Sequence, residues 1–209
     1  MSLLLNVPEA DKVQALAAGA VYNTDANVWI LPDAFYGRLK ELEKWILPDN
    51  AYLILPETVL IARGKTVCPH CGHTNHVIAI GAEQFYEKDI NERDEPVWLE
   101  QDFFVLFHQI TTISDNLRNL LEDAFPQFRP VQLETDPQVY WYNHCEQCQR
   151  PISDERLMDA ACSTFHPTNA EEAALITLKQ VQFKFAPLLD AGYEPHPYQK
   201  LIGEYATRV

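Results

Sequence analysis

Glycine and basic residues are scarce in this chain, and long apolar runs are missing. Seven glycines in 209 residues leave no loop suited to cradle a phosphate, and neither Gly-x-x-x-x-Gly-Lys-Ser/Thr nor Gly-x-Gly-x-x-Gly occurs. Gly-x-Ser-x-Gly and His-Glu-x-x-His are absent too. Adjacent carboxylates such as Asp94-Glu95 and Glu122-Asp123 point apart on a helix or strand, so spacing makes no acid/base dyad of them. These absences predict that the protein is not an enzyme. No run approaches the roughly 20 apolar residues of a membrane-spanning helix. Met1–Asn6 carries no basic residue and is too short for a signal peptide. The expectation is a soluble chain in a reducing cytosol, with no membrane partner. Sixteen Lys and Arg against thirty Asp and Glu give a net charge of −14. That balance opposes an extended grip on nucleic acid, whose affinity comes largely from cations on phosphates.

Two Cys-x-x-Cys pairs stand out instead: Cys68-Pro69-His70-Cys71 and Cys145-Glu146-Gln147-Cys148. A two-residue spacer lets a tight turn aim both sulfurs at one point about 2.3 Å away, so two such pairs make the ligand set of one tetrahedral zinc ion. Four thiolates close the coordination shell and leave no position for water, which makes the site structural. The competing readings are two unconnected reduced pairs or a disulfide framework. A chain of this size does not need disulfides to fold. Pro69 and Gly72 suit the first turn; the second has no glycine and is less clearly signalled. His70, His73, His76 and His144 lie close by but are expected outside the ligand set. Cys162 is expected to be a buried, inert thiol.

The acidity is concentrated between the knuckles. Residues 82–136 hold thirteen acidic and four basic residues. Within this insert Glu87, Asp89, Glu92, Asp94, Glu95, Glu100 and Asp102 are the candidate docking face for a basic protein partner.

Along the chain, Leu3–Val7 reads as a strand. Pro8 opens a helix carrying Val13, Leu16 and Ala17, with Gly19 after its end. Val28–Leu31 is the return strand. Leu4, Asn6-Val7-Pro8, then Gly19-Ala20-Val21-Tyr22-Asn23, then Val28-Trp29-Ile30-Leu31-Pro32 resemble the small DUF5710 module over about residues 3–33. Relatives of that module accompany DNA-handling proteins, which implies an association with nucleic acid. Val21, Tyr22 and Asn27 stand where the family carries its usual arginine, tryptophan and lysine. A helix follows, with Asp33 at its cap and Phe35, Leu39, Leu42 and Ile46 as its core stripe.

Each knuckle lies between strand-like segments, as in a zinc ribbon: Thr66-Val67 and His76–Ile80 around the first, Val139–His144 and Pro151–Ser153 around the second. Cys68 to Ala79 and Tyr142 to Cys148 resemble a bacterial zinc-ribbon family of unassigned function, over about residues 62–160. Between them, Phe103–Phe107 reads as core and residues 115–125 as a helix capped by Thr112 or Ser114. Later helices are expected over Asp154–Asp159, over Asn169–Ile176 with Thr168 as cap, and over Tyr198–Tyr205, with a strand over Leu178–Phe185.

The predicted fold is α+β: a unit of residues 1–50 with the strand–helix–strand module and following helix, then a ribbon-centred domain, 51–209, with an inserted helix. The predicted function is a non-enzymatic zinc-binding module for protein interaction, docking a basic partner as an inhibitor or immunity protein does. The alternative is a nucleic-acid-associated accessory factor, with Arg63, Lys65 and Arg150 as its candidate cations.

Overall fold

The computed structural model describes residues 1–133 and 136–209; Glu134 of the acidic insert therefore lies outside the described residues. Both helices and strands are present and the class is α+β. Among the described residues no helix is long and apolar enough to cross a membrane.

The N-terminal unit contains β1 (Ser2–Leu5), α1 (Lys12–Ala17), β2 (Val21–Asn23) and β3 (Val28–Pro32). The strands form an antiparallel sheet in the order β1-β3-β2, one strand more than the expected strand–helix–strand. Alternation puts Leu3, Leu5, Trp29 and Leu31 inside. A 3-10 turn over Glu9–Asp11 separates Pro8 from α1, and the turn shifts the helix's inward face. Ala15 and Ala18 are buried, whereas Val13 and Leu16 face solvent. Gly19 ends the helix with φ +99°, and a Cβ there would strike the ring of Phe35. Asp33 opens a 3-10 turn rather than capping a helix and binds the chain's amino terminus. That turn runs into α2 (Leu39–Leu42). Leu39, Leu42 and Ile46 are buried, while Phe35 at 40% exposure only covers Gly19.

The second region is organised by an eight-stranded sheet. In chain order its parts are β4 (Leu53–Ile54), β5 (Thr58–Val67), β6 (Thr74–Ile90), β7 (Pro96–Leu106), β8 (His108–Ile113), α3 (Asp115–Ala124), β9 (Phe128–Gln132), β10 (Val139–His144) and β11 (Pro151–Ile152). There follow α4 (Asp154–Met158), α5 (Ala170–Ala173), β12 (Thr177–Gln182), β13 (Leu188–Gly192), α6 (Pro197–Tyr205) and β14 (Thr207–Arg208). The strand order is β14-β12-β5-β6-β4-β13-β8, with β7 also paired to β6. A small sheet, β11-β10-β9, carries the second knuckle. The segment between the knuckles is therefore more than an inserted helix. It supplies the far half of β6, then β7 and β8, before α3 and β9.

Period-two burial gives the large sheet two apolar faces. Ile61, Ile80, Phe85 and Phe107 pack with Leu117 and Leu121 of α3 and with Trp141 of β10. Ala62, Val77, Ala79 and Leu178 pack on the other side with Leu157, Phe165 and Ile202, and this second core reaches Cys68 and Cys145. Val105, Leu106 and Phe107 are buried, as a core reading of that run requires. Ser114 holds the N-cap position of α3, but its hydroxyl accepts from Leu188 N–H at 2.9 Å and donates to Asn116. Asn169, not Thr168, caps α5 by accepting from Glu172 N–H.

Candidate metal centre

The two knuckles are the same turn built twice. In the first, Cys68 N–H donates to His73 C=O at 2.8 Å and Gly72 N–H to Cys68 C=O at 3.0 Å. In the second, Cys145 N–H donates to Arg150 C=O and Gln149 N–H to Cys145 C=O, each at 2.9 Å. The residue after each second cysteine takes a left-handed backbone: Gly72 at φ +73° and Gln149 at φ +60°. The first turn caps the β5–β6 hairpin and the second the β10–β11 hairpin.

The fold brings these tips together across the 73 residues that separate them in sequence. Cys68 Sγ lies 3.7 Å from Cys148 Sγ, and Cys71 Sγ lies 3.5 Å from Cys145 Sγ. All four sulfurs lie within 4.8 Å of one another. These separations are far beyond the roughly 2.05 Å of a disulfide bond, and all five cysteines of the chain are free thiols. A tetrahedral ion with sulfur bonds of about 2.3 Å requires sulfur–sulfur edges of about 3.8 Å. The four cysteines can hold a metal ion, and the donor set is compatible with zinc. Among the described residues no histidine or carboxylate joins the group.

Electrostatics favour a cation here. Burial pushes the Cys145 thiol up, but the N–H groups of Cys148 and Gln147 aim at its sulfur and bring it down to about 6. At Cys71 the His73 N–H pulls down, but burial and the three neighbouring sulfurs together push the thiol up to about 12. Unaided, the site draws Cys145 and Cys68 toward ionisation and holds the proton on Cys71. A divalent cation at the centre removes that conflict.

Side chains from both hairpins hold the tips in place. Asn143, 2% exposed, accepts from Ile78 N–H at 2.8 Å and donates to Ile78 C=O at 2.9 Å. Asn75, fully buried, donates to His73 C=O and accepts from Glu146 N–H at 2.8 Å. Glu146 lies 3.6 Å from His73 and 3.7 Å from His76. Arg150 donates to His70 Nδ1 at 3.0 Å. His144 is buried, contacts the Tyr142 carbonyl through Nδ1, and is held below the usual imidazole pKa by desolvation. The two asparagines are functional residues that sequence reasoning missed. Tyr142-Asn143-His144 immediately precedes the second knuckle, and that position was the available signal.

Cys162 departs from expectation. It is exposed, with φ +63°, because the chain reverses between α4 and α5 and the thiol faces outward. Its sulfur is 3.9 Å from Thr168 Oγ1.

The seven acidic candidates do not form one flat face. Strand alternation puts Glu87 and Asp89 on one side of the β6–β7 hairpin and Glu100 and Asp102 on the other. Four have internal partners: Asp89 accepts from the N–H of its neighbour Ile90 at 2.7 Å. Glu87 accepts from Tyr193 and Gln101, Glu95 lies 3.4 Å from Lys40, and Asp102 accepts from Gln84. Asp89, Glu92 and Asp94 cluster at the hairpin tip, exposed.

Comparison of the chain with family models, with curated proteins and with solved structures finds no match.

Proposed function

We propose that this protein is a non-enzymatic zinc-binding protein that acts as a protein-interaction module, docking a basic partner as an inhibitor or immunity protein does. The carrying observation is the closed set of four sulfurs, drawn from two remote hairpins. Zinc is the cation that four thiolates in a tetrahedral, non-redox setting hold best. With every coordination position taken by the chain, the ion braces the fold and reacts with nothing. A reducing cytosol keeps the sulfurs available.

The partner-facing element is the tip of the β6–β7 hairpin. Ile90, the last residue of β6, is 65% exposed there, beside Asp89, Glu92 and Asp94. An exposed apolar side chain among carboxylates fits a partner that presents an apolar contact ringed by Lys or Arg. Elemental analysis of protein purified without chelator is expected to find one zinc per chain. Affinity capture from native lysate is expected to recover a basic protein. The triple variant Asp89→Lys, Glu92→Lys, Asp94→Lys should lose it with its metal content intact. Recovery of free monomer alone by the unmodified chain would sink the interaction reading.

A further inference from the structure

Counting carboxylates among the described residues, eight of the sixteen Lys and Arg side chains lie within 4 Å of one. In a chain with nearly twice as many acids as bases, a cation lacks such a partner only where the fold keeps carboxylates away. Three of the remaining eight, Arg63, Lys65 and Arg156, line one open groove of about 1340 Å³ beside the metal centre. We infer that this groove binds a ligand through its phosphate groups.

The groove has two walls, and each leads into a knuckle. One wall is the end of the β5–β6 hairpin, which runs into Cys68 and Cys71. Arg63 and Lys65 are two residues apart on β5, so they share a face about 6.6 Å apart along the strand. His76 of β6 lies directly opposite Lys65 and lines the same groove. The other wall starts at β11 and α4, just after Cys148, and carries Arg156. Arg156 reaches across to donate to Val67 C=O at 3.3 Å, which ties the walls together and leaves its remaining N–H groups available.

The lining suits the oxygens of a phosphate. Hydroxyls of Thr66, Thr74, Ser153 and Thr177 stand among the cations, giving neutral donors for the oxygens that the cations do not reach. Two carboxylates also line the groove. Glu172 is engaged by Thr168, accepting its N–H at 2.7 Å and its hydroxyl at 2.9 Å; Glu155 is exposed on α4. No Phe, Tyr or Trp side chain lines the groove, among the described residues, to give a base a broad stacking surface. The contact is therefore to phosphates and not to bases. The net charge of −14 does not forbid it, since at physiological salt charges beyond about 8 Å are largely screened.

The test uses the metal-replete full chain at low salt, with two probes: tripolyphosphate and a 5′-phosphorylated single-stranded oligonucleotide. Saturable binding of at least one is expected. The first alone identifies a compact phosphate chain, the second alone a phosphodiester, and both together the shared chemistry. Affinity should fall at least tenfold in Arg63→Glu/Lys65→Glu, with its melting temperature unchanged, and, on the opposite wall, in Arg156→Glu, with its metal content intact. Arg93→Glu, at the distant hairpin tip, should bind as the unmodified chain does. For the oligonucleotide, three cations predict a slope of about −2 in log affinity against log salt. Failure of both probes at micromolar protein, undiminished binding by the groove variants, or equally strong binding of poly-glutamate would overturn the assignment. None of these outcomes bears on capture of a partner by the hairpin tip.

Discussion

The first knuckle enters from the ten-residue strand β5 and leaves into the seventeen-residue strand β6, whereas the second enters from six-residue β10 and leaves into a strand of two residues. Yet their hydrogen bonds and left-handed residues correspond one for one. The long ladder between β5 and β6 would shape the first turn with or without a metal. The second has only the Asn143–Ile152 and His144–Pro151 pairings between its own two strands, with β9 supporting the other edge of β10. Its conformation depends on the sulfurs, on Asn75 and Asn143, and on the docking of α4.

The largest effect expected is from the sulfurs. Cys71→Ser and Cys148→Ser each remove one ligand from a closed set, and a site of this kind contributes about 10–16 kcal/mol of apparent binding energy in small zinc modules. Both variants should lose stoichiometric metal by elemental analysis and melt at least ~10 °C lower, a shift of the size several kcal/mol gives. Hydrogen exchange sharpens the comparison. Residues 145–152 should lose their amide protection in both variants, while the β5–β6 ladder keeps most of its own. Equal loss on the two sides would show that the first hairpin also depends on the metal.

A second asymmetry lies just beyond the knuckles. The chain leaving the second one buries Asp154, whose carboxylate accepts from Gln109 N–H at 2.6 Å. Burial raises its pKa to about 7, over the opposing pull of that N–H, with Asp159 adding to the rise. The folded chain thus keeps a proton that the unfolded chain releases near pH 4. Stability is unaffected by this group below about pH 4, falls as pH rises from about 4 to 7, and levels off above that. The full shift amounts to at most about 4 kcal/mol. Asp154→Asn keeps an acceptor for Gln109 and cannot ionise. It should raise stability at pH 8 by about 2–4 kcal/mol and remove this part of the slope between pH 4 and 7, read from urea melts across pH. An unchanged slope would place the titration elsewhere.

The asparagine clamp comes next in size. Asn143→Ala leaves the N–H and C=O of Ile78 buried without partners, a cost of about 2–3 kcal/mol. The metal should still bind, more weakly, because the second knuckle loses its register against β6. Metal affinity from chelator competition and stability from denaturant melts separate this from a cavity effect, which would leave affinity unchanged.

These devices differ in how far they could be read from the sequence. The sulfurs were legible because a Cys-x-x-Cys pair is local and its spacing is set by the turn itself. The asparagines were not, because an amide gains its role only from the strand that comes to lie beside it. The inserted segment was under-read for a related reason. Pro96–Leu106 is apolar at both ends and polar over Glu100-Gln101-Asp102 in the middle. One face of the outer half packs Trp98 and Tyr86 against the N-terminal unit while the other meets solvent, so the run shows no clean alternation. In α1, Val13 and Leu16 have helical spacing but face solvent, and Ala15 and Ala18 make the buried face. Periodicity finds an element, and contacts remote in sequence decide which way it points.

The smallest effect bears most directly on the comparison. Gly72 and Gln149 occupy the same step of the same turn at φ +73° and +60°. A side chain there costs about 1 kcal/mol relative to glycine. At Gly72 an added methyl would meet no other atom within 4 Å, so Gly72→Ala isolates the backbone term and should destabilise by about 1 kcal/mol. At the second knuckle Gln149→Gly relieves the same strain but forfeits two contacts: its amide nitrogen to Glu146 C=O at 2.9 Å and its amide oxygen from Arg129 at 3.0 Å. Both contacts are exposed and weak. The expected result is a change within about 0.5 kcal/mol of zero, against a loss in Gly72→Ala, measured by denaturant melts of the metal-replete protein. If Gln149→Gly is instead destabilising by more than Gly72→Ala, the second turn is held chiefly by its glutamine, and the reliance on sulfurs and asparagines inferred from its short strands is wrong.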